Sequence, residues 1–334
     1  MHVDRDTLAT ALYVKIDDVL KSSPQLTRWR PAVGIAPKIT DAELITLAVL
    51  QALLGYHKEA RWIRHARMNL THLFPYIPKQ PGYNKRLRTL GTQITHLIRV
   101  LALDTDLWQH PVRIADSTPV ECGRSRETVT RSDLAGWATY GYCASHSRRF
   151  WGLRLHLVTT VHGLPVAFAL TTAKTDEREA LMDLFDLDTG LLTHPDGLIL
   201  VVDKGYRDAA TERQLTERGV TMIRPAYRTE KPRPGRTLLR AVRQNIESVN
   251  QTLKGQLDLE RHGGRTGTGV LVRVAQRILA MTAAIWHPSS TVGGHAGRIG
   301  GGSVQVRGLA PIGDCPEAWA NGFAVGLVLA RLVV

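Results

Sequence analysis

The sequence predicts an α/β fold in which a mixed sheet flanked by helices follows an all-helical region. Three observations carry this reading. Before about residue 108 the apolar residues recur only with helical period; from residue 111 alternating and continuous apolar runs take over; between about 175 and 225 strand-like and helix-like runs alternate. With 334 residues, 43% of them hydrophobic, the chain can bury a substantial core as two domains or as one domain with an insertion.

The elements follow in order. Thr40 and Glu43 form a capping box before the apolar run DAELITLAVLQALL, and Gly55 is placed to end that helix. In KEARWIRHARMNL, Trp62, Ile63, Ala66 and Leu70 fall on one face, with Lys58, Arg61, Arg64, His65 and Arg67 around the rest. After Pro81, Leu87, Leu90, Ile94, Leu97 and Leu101 predict a third helix, whose start carries Lys85, Arg86 and Arg88. Short helices with basic faces suit a helix-turn-helix-like DNA reader, and equally a helical bundle with solvated charge. PVRIADSTPV then reads as a short strand closing at Asp116, and residues 150–171 read as a hairpin turning at His162 and Gly163. DEREALMDLFDLD is a helix, GLILVVDKGY a buried strand closing at Asp203, AATERQLTERG a helix and VTMIRP a strand. Residues 288–334 hold ten glycines, some in runs such as GGHAGRIGGGS, and predict a disordered tail.

A formal charge of +13 favours a polyanionic partner. Three scattered cysteines, Cys122, Cys143 and Cys315, support neither a disulfide framework nor a cysteine zinc site. The N-terminal MHVDRDTLATALYVKIDDVL lacks an apolar signal core, so a soluble, cytoplasmic protein without membrane association is expected. The phosphate-loop pattern G-x4-G-K-[ST] is absent from the sequence, which argues against ATP-driven chemistry.

The chemistry concentrates in three carboxylates. Strand ends on one sheet edge are where open α/β folds place ligands, so Asp116 and Asp203 meet if their strands are neighbours. On an α-helix at ~100° per residue, Glu247 and Lys254 lie about 40° and 20° around from Arg243, one polar stripe beside the apolar stripe Val242, Ile246, Val249, Leu253 and Leu257. Three carboxylates drawn together repel unless they bind a divalent ion or take up a proton. Two Mg²⁺ ions ~3.5–4 Å apart would activate a water or 3′-hydroxyl against a phosphodiester. Each aspartate alone is also explained as a turn residue, and Arg243 with Glu247 as a solvated i, i+4 ion pair.

Together these segments resemble a known family. Arg243, Glu247 and Lys254 form the R-x3-E-x6-K part of the Tyr-Arg-Glu-Lys signature of DDE transposases of bacterial insertion sequences. DSTPV at Asp116, the segment from Gly141 to Leu181, and DKGY at Asp203 resemble that family in order and spacing, over roughly residues 10–287. The resemblance implies a ribonuclease-H-like catalytic domain at 109–287, preceded by a helical DNA-binding region at 1–108. It implies a metal-binding triad of Asp116, Asp203 and Glu247, holding two Mg²⁺ ions with Mn²⁺ able to substitute. It implies a transposase that cuts double-stranded DNA at the terminal inverted repeats of its element, joins the 3′-OH ends to target DNA and works as a homo-oligomer. Where the signature has tyrosine this chain has Arg240, a departure that touches DNA positioning more than metal chemistry.

Arg243 and Lys254 would contact phosphate near the cleaved end, with Arg240 on the same helix. The stretch RSDLAGWATYGYCASHSRR mixes Trp137, Tyr140 and Tyr142 with Arg148 and Arg149, a set able to stack bases and hold phosphates, or to serve as core aromatics beside solvated cations. His156 shares a strand face with Arg154, near the metal site or as a structural histidine. His146, His156, His162 and His262 lack zinc-site spacing. Two alternatives stay open, a DNA-binding relic without catalysis and a structure-specific nuclease of the same fold.

Overall fold

The structure, a computed structural model, describes residues 5–26, 36–143 and 147–292. Helices α1 (Arg5–Ser22), α2 (Asp41–Leu53) and α3 (Glu59–Asn69) open the chain. The Thr40 hydroxyl accepts from the Glu43 N–H at 3.1 Å and the Glu43 carboxylate accepts from the Thr40 N–H at 2.6 Å, the reciprocal box read from the sequence. On α3, Trp62, Ile63 and Ala66 are buried.

The single helix expected after Pro81 is two, α4 (Gln80–Leu87) and α5 (Gly91–Leu103). A Cβ on Gly91 would stand 3.1 Å from Val272 Cγ2, so the start of α5 presses on the C-terminal helix where there is room for little more than glycine. Leu87, Leu90, Ile94, Leu97 and Leu101 are all buried, so the periodicity reported the buried face and concealed the break.

Strand β1 (Val112–Gly123) is followed by α6 (Arg126–Arg131), β2 (Thr139–Cys143), β3 (Arg148–Thr160) and β4 (Pro165–Thr172). β1 does not close at Asp116. It continues to Gly123 because β3 pairs with it antiparallel from Arg113↔Thr160 to Glu121↔Gly152. The outer edge of β3 is shared: β2 pairs with its first half, β4 with its second. β2 lies in a stretch the sequence shows as a loop, since only Cys143 among its residues is buried.

The chain continues through α7 (Glu177–Leu187), β5 (Leu198–Val201), α8 (Ala209–Glu217), β6 (Val220–Ile223), α9 (Arg236–Gln251), a π-helical turn Thr252–Gln256 and α10 (Gly267–Val292). β5 runs parallel to both β1 and β6, giving a mixed sheet of order β2-β3-β1-β5-β6 with β4 on β3. One face of β3 sends Leu153, Leu155 and Leu157 into a core with Leu12, Ile16, Leu44 and Leu97 of the N-terminal helices and Ile278 and Leu279 of α10. On the other face Val158 of β3 and Ala167 and Ala169 of β4 pack with Leu181, Leu184 and Phe185 of α7. The boundary expected between residues 108 and 109 therefore divides residues that share one core.

Residues 267–287 form the one stretch among the described residues long and apolar enough to cross a membrane, but 78% of its apolar window is buried inside the protein, with Arg273, Gln276 and Arg277 among the buried residues. It is a core helix of this fold. α10 runs to Val292, past the expected start of the glycine-rich tail at 288, and residues 293–334 lie outside the described residues.

Arg273 of α10 pairs with Glu59 at the start of α3, their side chains only 8% and 11% exposed, and Asn84 Nδ2 donates to Glu59 Oε1 at 2.7 Å. Removing one partner of a buried pair leaves the other charge unsolvated. Glu59→Ala is expected to lower unfolding stability by about 3–5 kcal/mol in urea titration; a loss below ~1 kcal/mol, the range of exposed pairs, would show that the pair holds nothing together.

Candidate functional site

The parallel pairing of β1 with β5 ends at Ile114↔Val201. That register, carried two residues on, sets Asp116 beside Asp203. Here the sheet splits: β1 goes on along β3, and the chain after β5 turns off into the 3-10 turn Lys204–Tyr206, which Asp203 caps by accepting from the Gly205 N–H at 2.7 Å. The two aspartates thus stand at a notch between diverging strands, where backbone pairing leaves space for a ligand.

Asp116 Oδ2 accepts from Asn250 Nδ2 at 2.6 Å, and Oδ1 accepts from the Ser117 N–H at 2.8 Å. An ionised carboxylate only accepts, so Asn250 must present its NH₂. Burial lifts the Asp116 carboxyl above its ordinary range; the Asn250 and Ser117 bonds oppose the rise, Glu177 adds to it and Lys254 reduces it. The Asp203 carboxyl is also lifted, first by burial, then by the negative charges of Glu177 and Asp116. Two carboxylates held in their less comfortable charged form are a site prepared for a cation.

Glu177 is the first residue of α7, behind the N-cap Asp176. Its Oε1 accepts from Ser117 Oγ at 2.6 Å and from Arg154 Nη1. Arg154 also donates to Ser117 Oγ and to the Tyr142 carbonyl, each at 3.2 Å. Ser117 and Arg154 lie on the α7 side of the sheet, Asp116 on the α9 side, and Asp203 at the end between them.

Glu247 stands apart. Its carboxylate pairs with Arg243 at 3.0 Å on the solvent face of α9, the two side chains 66% and 81% exposed, and the neighbour one turn on, Asn250, reaches Asp116 instead. The expected stripe of Arg243, Glu247 and Lys254 assumed one continuous α-helix; the i→i+5 winding of Thr252–Gln256 changes the angle, and Lys254 leaves the stripe, half-buried, with its charge felt at Asp116. The apolar stripe holds, with Val242, Leu253 and Leu257 buried. Among the described residues, no three His, Cys, Asp or Glu side chains close on a single point.

Of the remaining candidates, Arg240 is exposed on α9. Arg148 is held between Glu121 at 3.0 Å and Glu260 at 3.4 Å, whereas Arg149 is exposed opposite Tyr142 in the ladder. Tyr140 and Tyr142 are exposed on the edge strand β2, on the same face as Arg149. His156 is buried beside Ser117 in the register, bonded to Thr171 Oγ1 at 2.9 Å, its pKa pushed down to about 3 by burial and then by Arg154. His262 is buried against the Glu121 carbonyl, His162 stacks edge-on with His110, and His146 lies outside the described residues. Sequence reasoning missed Asn250 and Glu177. Asn250 was open to discovery, one helical turn beyond Glu247; Glu177 was masked as an ordinary acidic residue in the first turn of a helix.

Comparison with known families decides the class. The family model described as the Transposase DDE domain matches residues 107–283, more than half of the chain, from just before β1 into α10. The chain belongs to the DDE transposase family. No curated protein and no solved structure matches it. The match takes in both aspartates of the notch, Glu177 and Glu247. Members of this family act on DNA and depend on divalent metal, which accords with a transposase of charge +13. The donor set at the notch is of the right chemistry, carboxylate oxygens of the kind that Mg²⁺ and Mn²⁺ take.

Proposed function

We propose that this transposase cleaves double-stranded DNA at the terminal inverted repeats of an insertion sequence and transfers the freed 3′-OH ends to target DNA. The observation that carries the reading is the placement of Asp116 beside Asp203 at the split between β1 and β5, within the matched family domain. The strand order, with helices on both faces, supports a ribonuclease-H-like catalytic domain. Asp116 and Asp203 would hold the divalent ions, Mg²⁺ with Mn²⁺ as substitute, whose chemistry there is neutralisation of the phosphodiester and activation of a water or 3′-hydroxyl. Asn250 fixes the Asp116 carboxylate, and Lys254 supplies a cation on the same side of the sheet.

Glu247 completes the triad in this reading once it exchanges Arg243 for the notch, which frees Arg243 for phosphate. An exposed pair of this kind is worth only ~0.3–0.5 kcal/mol, so the exchange costs little. Arg240, Arg149 and the exposed Tyr140 and Tyr142 extend the DNA surface, Arg148 borders it, and the basic N-terminal helices add to it. We further propose the Tyr-Arg-Glu-Lys branch of the family, action in the cytoplasm and a homo-oligomer that holds two element ends.

The outward Arg243–Glu247 pair is also the observation that favours a second reading, a copy that binds DNA without cutting it. A plasmid carrying the DNA that flanks the coding sequence, incubated with the protein and Mg²⁺, separates the two. Nicking and joining at inverted repeats, abolished by EDTA and by Glu247→Gln, is the expected result. Binding without cleavage supports the second reading, and cleavage indifferent to the repeats supports a structure-specific nuclease.

A further inference from the structure

We propose that Glu177 is the third carboxylate of the resting notch, reaching in from the α7 side of the sheet to hold a divalent ion with Asp116 and Asp203. The proposal rests on the metal-dependent reading above. Geometry carries it. A Cβ built on Gly205 would lie 2.9 Å from Asp203 Oδ1 and 3.4 Å from Glu177 Oε2, so the two carboxylates flank one small space that a side chain would fill. Glycine at 205 keeps that space open.

The two oxygens of Glu177 are used differently. Oε1 is anchored by Ser117 Oγ and Arg154, which fixes the side chain. Oε2 takes no hydrogen bond among the described residues and is the oxygen that borders the space over Gly205. Ser117 donates its hydroxyl to Glu177 and its backbone N–H to Asp116, so one residue ties together acidic groups on two elements.

Charge points the same way. Asp116, Asp203 and Glu177 bring three carboxylates to the notch, while Arg154 is the cation paired with Glu177. That surplus of negative charge raises the energy of the empty notch, and a divalent cation relieves it. Since no three side chains yet close on one point, the ion would draw them together by small side-chain rotations.

The test is Mn²⁺ binding to the full chain without DNA, followed by electron paramagnetic resonance, for wild type, Asp203→Asn, Glu177→Gln and Glu177→Asp, with thermal unfolding of each. The expected result is that Glu177→Gln weakens Mn²⁺ about tenfold or more and Glu177→Asp less. Thermal unfolding should show the folded fraction unchanged. Asp203→Asn weakened with Glu177→Gln at wild-type affinity would overturn the proposal and leave the metal-dependent reading standing. Asp203→Asn at wild-type affinity would overturn both. Should Glu177→Gln lose affinity only in proportion to its loss of folded protein, Glu177 is a strut and the proposal fails.

Discussion

Asp203→Asn and Asp116→Asn are each expected to lower cleavage at the element ends by on the order of 10³-fold while raising thermal stability at neutral pH. The activity loss follows from removing a ligand to an ion whose charge stabilisation is worth several kcal/mol, each 1.36 kcal/mol being tenfold in rate. The stability gain has its own sign argument. Both carboxyls have folded-state pKa values above their ordinary values, through burial and then the Glu177 charge at Asp203, and through burial despite hydrogen bonds at Asp116. A raised pKa means the folded state binds the proton more tightly than the unfolded one. The charged forms then oppose folding progressively as pH rises through the unfolded value, and neutral asparagine removes that opposition. Gains should be read without added metal, since a bound ion stabilises wild type selectively. Variants that lose activity and stability together would mean that the aspartates serve the fold rather than a site.

Gly152→Ala is expected to cost at least about 3 kcal/mol, a large share of the stability of a domain this size. A Cβ at 152 would stand 2.1 Å from the Val120 carbonyl oxygen and 3.0 Å from Cys122 N, both backbone atoms that no rotamer change can move. The cause is the bulge in β1, where the register shifts between Glu121 and Gly123 and the strand bends over Gly152. Gly55→Ala is the contrast. Gly55 has φ +70° and no atom within 4 Å of a new Cβ, so only left-handed backbone strain opposes alanine there, about 1–2 kcal/mol. Urea unfolding of the two variants separates steric contact from backbone strain; equal losses would show that the β1–β3 spacing yields more easily than the packing suggests.

What the sequence made legible was what local chemistry determines. The Thr40–Glu43 box, the hairpin at Gly163, the strands before Asp203 and after Gly219, and the buried stripe of α9 all follow from spacing within a few residues. Longer-range pairing was not legible. Nothing in DSTPV announces that β1 continues to Gly123, because that depends on β3, some forty residues later in the chain, and Pro119 discourages the reading. TYGYC hides a strand because it lies at an edge with Tyr140 and Tyr142 facing solvent. At the site, the expectation that Asp116 and Asp203 both end strands holds for β5 alone; Asp116 lies within β1 and comes beside Asp203 because the β1–β5 pairing stops two residues earlier. The orientation of α9 was not legible, since a π-helical turn and one asparagine decide which of its polar groups meets the sheet. Glu177 was invisible because its partners Ser117 and Arg154 come from other elements.

The central claim is that Asp116 and Asp203 jointly support metal-dependent cutting of DNA. Its most direct measurement is single-turnover cleavage of a labelled element-end duplex, started with Mg²⁺, by wild type, Asp116→Asn and Asp203→Asn at equal folded concentration. The account predicts 3′-OH ends at one defined position from wild type, none in EDTA and none from either variant. Wild-type cleavage that persists undiminished in either variant would contradict it.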